Sequence, residues 1–236
     1  MFPFLHSAIP TPQYAIAPGG VAAWRAFLYK AKIRRQEARK RRLDASKKGG
    51  SALIDHGVLL GLLKGSAGFA GVFVFASFFE WTLHKYIMHS LLWNYPFHAH
   101  ALVHHGLFRA DRTYHLRREE DKEKVTFAWW NAPGLVLLTL PLLLGLGYFF
   151  GWPVFWGGLI AESSYYVLYE SLHWCMHVPK DRWIEKTWVF RWLNTHHYLH
   201  HRYAFKNLNV VFPLADCVLG SLIPVVAKNP LSVTQE

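Results

Sequence analysis

Three stretches of this chain read as continuous apolar runs, without the one-sided stripe of a helix on a soluble domain. Between Ala52 and Leu83 the only ionisable residues are Asp55, His56, Lys64 and Glu80. Within it, Gly65–Leu83 approaches the roughly 20 residues that a bilayer crossing needs. Ala52–Leu63 has only 12 residues, about 18 Å as a helix, too short to cross alone. It is expected to be a half-span, turning back near Lys64-Gly65. Phe127–Phe150 carries no charged residue, and Pro133 and Pro141 are its expected kinks. Trp152–Leu172 holds only Glu162 and Glu170 as charges, and the short Gly151-Trp152-Pro153 link makes these last two runs an antiparallel hairpin. A last apolar stretch, Val210–Val226, is interrupted by Pro213, Asp216 and Pro224 and reads as packed rather than spanning. The expected fold is an all-α integral membrane protein, with about three to four transmembrane or half-spanning helices and a histidine-rich helical cap.

The flanking regions have a different character. Residues 1–20 contain four prolines and the pair Gly19-Gly20, an irregular leader. From Val21 a helical stripe of Trp24, Phe27, Leu28 and Ala31 runs through a basic segment, and Ser46–Ser51 is expected to break it. The division is a leader and basic amphipathic segment over 1–50, a membrane-embedded domain over 51–228, and a tail over 229–236. Composition sharpens this picture. The chain of 236 residues is 52% hydrophobic with 11 Trp and 11 Tyr, side chains that favour bilayer interfaces. Its net charge of +11 is concentrated in one place. Arg25–Lys48 holds eleven Lys/Arg against Glu37 and Asp44, a net of +9, leaving +2 for everything else. That distribution argues against nucleic acid and for anionic lipid headgroups or an acidic electron-transfer protein. Basic loops put the histidine-bearing ends on the cytoplasmic side of a multi-pass protein. Cys175 and Cys217 form no motif and read as reduced thiols, and no secretory signal is expected.

The chemistry lies in the histidines. Of fifteen, twelve fall in four groups. His84 and His89 close the first apolar run; His98, His100, His104 and His105 follow it. His173 and His177 close the third run, and His196, His197, His200 and His201 lie in NTHHYLHH. Imidazole pairs three or four residues apart share a helix face and can grip one transition-metal ion. Four groups emerging at one membrane surface can hold two ions. The candidate ligands are His84, His89, His100, His104, His105, His173, His177, His197, His200 and His201, with His98, His115 and His196 as possible additions. Glu80, four residues before His84, and Glu170, three before His173, are spaced to orient imidazoles through their second nitrogen.

The order Hx4H, Hx3HH, Hx3H, Hx2HH resembles the histidine boxes of the fatty acid hydroxylase superfamily, which includes sterol desaturases and, more distantly, carotenoid hydroxylases. The segment NLNVVFPLADCVLGS is similar to that family's tail, placing Asn209, Asp216 and Gly220 at its Asn and Asp-x-x-x-Gly positions. The likeness covers roughly Phe79 to Ser221. It implies a non-haem di-iron oxygenase that uses two iron ions and O2 on an unactivated C–H bond of a lipid or other long apolar substrate. It also implies an external electron carrier such as cytochrome b5 or a ferredoxin, since the chain has no flavin or Fe–S motif. Zinc can occupy such imidazole sites in purified protein. Desaturation, sterol or carotenoid oxidation, and metal binding without catalysis are the alternatives. The di-metal centre itself is the expected catalytic element.

Overall fold

The computed structural model describes residues 20–224. The Pro-rich leader and the tail 229–236 lie outside the described residues. Among the described residues every regular element is helical, and there is no strand. In order come α1 (Gly20–Leu83), a π-helical turn (His84–Met88), α2 (Asn94–Phe97), a second π-helical segment (His98–His104) and α3 (His105–Leu107). A 3-10 turn (Glu119–Lys124), α4 (Asn131–Phe150) and α5 (Trp152–His177) follow. A second 3-10 turn (Ile184–Lys186), α6 (Trp188–Arg202) and α7 (Leu214–Val218) complete the order.

Two compact units divide the chain after Leu59. In the first, helix extends through Ser46–Ser51, where a break was expected. Ala45, Lys47, Lys48, Ala52 and Leu53 are good helix formers, and a glycine in a helix interior costs only about 1 kcal/mol. The basic side chains from Arg25 to Arg42 are exposed, as are Leu28 and Leu43; those of Trp24, Phe27, Lys47 and Lys48 are outside the described set.

The second unit contains the rest. Its first helix is unbroken at Lys64-Gly65, so the expected turn-back there does not form. Lys64 and Gly65 sit in a helix whose backbone bonds are complete, and neither residue forces a turn. Two helical stretches, His56–Met88 and Asn131–Phe150, are long and apolar enough to cross a membrane. The third expected span, α5, forms as a helix of 26 residues but carries too many polar groups to pass the same measure. Pro133 lies in the first turn of α4, where its missing N–H is one of the unpaired donors anyway, while Pro141 lies inside the helix. The α4–α5 hairpin depends on Gly151, at φ +103°, followed by Pro153 in the first turn of α5.

The three long helices pack through small residues. A Cβ on Gly157 would overlap the carbonyl oxygen of Gly65, and one on Gly68 would lie 2.5 Å from the Val154 carbonyl oxygen. Val72, Leu143, Phe155 and Ala161 fill the centre of this bundle. Nearer the histidines, Tyr169, Leu172 and Met176 of α5 pack on Phe190 and Leu193 of α6 and on Val210. The stretch from Val210 is packed rather than spanning: Leu208 and Ala215 bury against Trp81.

This close approach makes a direct prediction. Gly157→Val forces the backbones apart and should lower stability by at least about 1–3 kcal/mol, read as a lower thermal midpoint in detergent. Gly71→Ala, with nothing within 4 Å of the new methyl, should leave the midpoint unchanged or raise it.

Candidate metal centre

The ten histidines expected as ligands converge in two buried groups of five, each of which could hold a metal ion. His84, His89, His100, His105 and His200 form one; His104, His173, His177, His197 and His201 form the other. Within each group the ligand atoms lie within 4.8 Å of one another. His105 and His201 are partly buried and the other eight are buried. The groups are neighbours: the rings of His105 and His201 stack at 4.1 Å between centroids.

Local backbone geometry sorts the histidines. In an α-helix, five residues turn about 140° past a full circle, which would point His84 and His89 apart. The π-turn corrects this by an i→i+5 bond, His89 N–H donating to the His84 carbonyl at 3.1 Å. The same device, His105 N–H to the His100 carbonyl, turns His100 and His105 to one group. His104, between them, faces the other. Helix α6 serves both groups, with His197 and His201, one turn apart, in one and His200 in the other. Thr187 starts that helix by accepting from the Phe190 N–H at 3.2 Å.

The imidazole tautomers follow from the hydrogen bonds. Nδ1 of His104 donates to the Lys124 carbonyl at 3.0 Å, that of His177 to Tyr114 at 2.8 Å, and that of His200 to Lys206 at 2.9 Å. His84 Nδ1 donates to the Leu208 carbonyl and His201 Nδ1 to the Phe108 carbonyl. A carbonyl only accepts, so each of these rings spends its single neutral-form proton on Nδ1 and bears a lone pair at Nε2. Those Nε2 atoms each point at the Nε2 of a further ring. His84 meets His100 at 2.9 Å, and His200 meets His105 at 3.1 Å and His89 at 3.2 Å. In the second group His104 meets His173 at 3.2 Å, while His177 and His201 meet His197 at 3.1 and 3.0 Å. His197 has one Nε2 proton at most and cannot satisfy both. A cation satisfies all of them. With metal–nitrogen bonds of about 2.0–2.1 Å, neighbouring ligand nitrogens stand about 2.9–3.4 Å apart, the spacing observed here.

Electrostatics favour the ligating form. Burial holds His89 and His104 down to about 4. Burial, reinforced by repulsion from neighbouring imidazoles, holds His100, His105, His197 and His201 well below the usual histidine range. All are therefore neutral donors at pH 7.

The remaining candidates lie elsewhere. His98 is exposed, and His115 is half-buried against Tyr114. His196 is buried but joins neither group; its Nε2 donates to Asp216 at 3.2 Å. Glu80 and Glu170 form no hydrogen bond to an imidazole, contrary to the expectation drawn from their spacing. The His84 Nδ1 is taken by the Leu208 carbonyl, and Glu80 instead accepts from Tyr165 Oη at 2.6 Å, Asn209 Nδ2 at 3.0 Å and Val210 N–H at 2.6 Å. Glu170 accepts from the Phe127 N–H at 3.3 Å. The carboxylate that supports the centre is Asp216, through the backbone. It accepts from Leu208 N–H at 2.9 Å, Asn209 N–H at 2.8 Å and Ser221 Oγ at 2.6 Å. Burial alone would push its carboxyl up, but the bonds from His196, Ser221, Asn209 and Leu208 outweigh that and hold it below the ordinary range. The loop it closes presents the Leu208 and Lys206 carbonyls to His84 and His200. Asn207 enters this loop at φ +53° and bonds to the His196 carbonyl. Tyr165, Ser221, Asn207 and the carbonyl-donating residues were not singled out from the sequence. Only Asn207 leaves a signal there, as a residue type suited to a left-handed turn. Cys175 is buried and Cys217 exposed, both as free thiols.

Beneath the histidines lies a cavity of about 340 Å³ between the C-terminal half of α1, α4 and α5. Its walls are mostly apolar, including Ala76, Phe79, Leu83 and Leu135, and His84 forms one end.

The depressed histidine pKa values set a pH window. In metal-stripped protein, unfolded histidines near 6.5 take up protons that the folded state refuses until about 4 for His89 and His104. Folded-state stability should be constant above about pH 7 and fall as pH drops from 6.5 towards 4. Thermal scans across that range check it, and a flat midpoint would contradict the burial argument.

Comparison with family models, curated proteins and solved structures finds no match to this chain.

Proposed function

We propose that this protein is a membrane-embedded, non-haem di-iron oxygenase that hydroxylates an unactivated C–H bond of a lipid or related long apolar molecule. The observation that carries this reading is the pair of five-histidine groups, one member of which, His84, lines an apolar cavity. Its histidine boxes resemble those of the fatty acid hydroxylase superfamily, in which this chain is proposed as a member. When bound, the metal pair supplies the O2 activation and hydrogen-abstracting power that no side chain here can provide. The chain's own residues have simpler tasks. Neutral imidazoles hold the ions, backbone carbonyls hold the imidazoles, and the cavity walls exclude water and align an extended chain with His84 at its end.

The bilayer placement has a consistent geometry. From Gly65 to Leu83, and along α4, the helices measure about 30 Å, the thickness of a hydrocarbon core. Leu137, Leu138, Phe149, Ile160 and Val167 are exposed on α4 and α5, as lipid-facing side chains would be. Trp152 and Trp156 are exposed near the hairpin end and Trp129 and Trp130 at the other, the levels at which aromatic belts form. In this reading α5 is a third crossing, tolerated because its polar residues face the cavity and the histidines. The histidine end lies on the cytoplasmic side, where a soluble donor delivers electrons. The basic helix before Leu59 contacts anionic lipid.

Elemental analysis and Mössbauer spectra of iron-57-grown protein test the metal content, with two coupled irons per chain expected. Reductant-dependent O2 consumption with a lipid extract, followed by product analysis, tests the reaction and separates hydroxylation from desaturation. His104→Ala and His200→Ala, one from each group, should each lose at least about 100-fold in turnover, beyond the 10–100-fold typical for outer partners of a metal ligand. Full activity in either variant, or no stoichiometric metal, would sink the assignment.

A further inference from the structure

The cavity is not uniformly apolar. Two residues that line it each keep a buried side-chain atom without a hydrogen-bond partner, the phenol oxygen of Tyr169 and Oε2 of Glu162. Both belong to α5, seven residues apart, so they stand on one side of the helix about 10 Å from each other along its axis. Tyr169, 6% exposed, marks the histidine end, its ring 5.6 Å from that of His173. Glu162 lies deeper, about 15 Å from the Trp152 end of α5 and so near mid-bilayer in the proposed placement. Its other oxygen accepts from Thr139 Oγ1 of α4 at 2.6 Å.

A carboxyl at that depth is expensive to desolvate and is retained where it has a task. Thr139 satisfies one of its oxygens, and the second is buried without a partner in a residue that lines the cavity. A plain hydrocarbon tail filling the space would leave Glu162 Oε2 and the Tyr169 hydroxyl dry and unpaired. Beside Glu162 a water would face a mostly apolar wall that offers few of the two to four polar partners it needs. A carboxylate-ended ligand would set a second acid against Glu162. A hydroxyl fits either protonation state, donating to a carboxylate or accepting from a carboxylic acid.

We propose that the cavity takes an elongated apolar molecule carrying a hydroxyl at its deep end, with Glu162 as the residue that selects it. Tyr169 then offers its hydroxyl to a polar group at the histidine end. This deepens the oxygenase reading by naming the substrate class, a long-chain alcohol rather than a methyl-terminated chain. Glu162 acts as a specificity determinant and takes no part in bond making.

Binding is tested without turnover. Metal-loaded full-length protein in saturated phosphatidylcholine nanodiscs, with no reductant, is photolabelled with a diazirine analogue of dodecanol. Labelled peptides are mapped by mass spectrometry, with dodecanol or dodecane as competitor. Labels should fall on α4 and α5, and dodecanol should protect them at about tenfold lower membrane concentration than dodecane, the effect of one buried hydrogen bond. Glu162→Gln should keep that preference, and Glu162→Leu should abolish it at unchanged metal content. Equal protection by alkanol and alkane in the unmodified protein, or a preference that survives in Glu162→Leu, would overturn the inference. The first comparison needs no variant and remains decisive if Glu162→Leu misfolds. With no reductant present, failure of the oxygenase reading leaves this result standing, whereas turnover with no alcohol preference overturns this inference alone.

Discussion

Neutral imidazoles cannot crowd their lone pairs together without a positive charge between them, and this constraint organises the molecule. Five of the ten histidines are committed to that arrangement by Nδ1–H bonds to backbone carbonyls. The second group alone receives three such rings, His104, His177 and His201. Burial adds to the effect, since it removes the option of protonating the rings to relieve the clash. A cation is therefore the natural complement to each group, and the fold can be understood as the means of holding ten rings until it binds.

That holding is done mostly by backbone. Asp216 grips two N–H groups of one loop, and the loop in turn offers the Leu208 and Lys206 carbonyls to His84 and His200. Asn209 and Glu80 tie the same loop to α1, and Tyr165 ties Glu80 to α5. Trp81 closes the circuit through Ser221. Asp216, Asn209, Glu80, Tyr165, Ser221 and Trp81 all have partners, which is the condition under which a polar network rigidifies a core. Rings set on such a frame have little freedom to reorient, so the two groups are preorganised rather than assembled on demand.

The sequence revealed the ligand types more readily than their grouping. Imidazoles repeated at the ends of apolar runs pointed to ten residues, and the fold gathers those ten. Which histidine shares a group with which was not legible. His100 pairs with His105 rather than His104 because of a π-turn, and the choice between α and π hydrogen bonding leaves no residue-type mark. The carbonyls that fix the tautomers were invisible for a plainer reason: every residue has one. Glu80 and Glu170 show the limit of spacing arguments. An i, i+4 or i, i+3 relation places two side chains on one face but does not say which neighbour claims the second nitrogen. At the level of elements, the apolar runs over 65–83 and 127–150 stood out by length, whereas the expected breaks at Ser46–Ser51 and Lys64-Gly65 rested on weak local propensities that the helical context overrode.

The close packing of the long helices and the open space near the histidines are two consequences of one residue pattern. Gly65, Gly68 and Gly157 let α1 and α5 approach until backbone meets backbone at the hairpin end, and Gly158 leaves room for the Val72 and Leu143 side chains. Towards the histidines the facing residues enlarge to Phe79, Glu80, Tyr165 and Tyr169, and the helices can no longer close on each other. The gap this leaves is the cavity. Its depth is set where small residues give way to large ones, and Glu162 lies only four residues beyond Gly158. Glu162 and His84 both line the cavity. In the proposed reading, an occupant held by its deep end would present to the histidines an atom fixed by distance along its chain rather than by recognition at the metal ions.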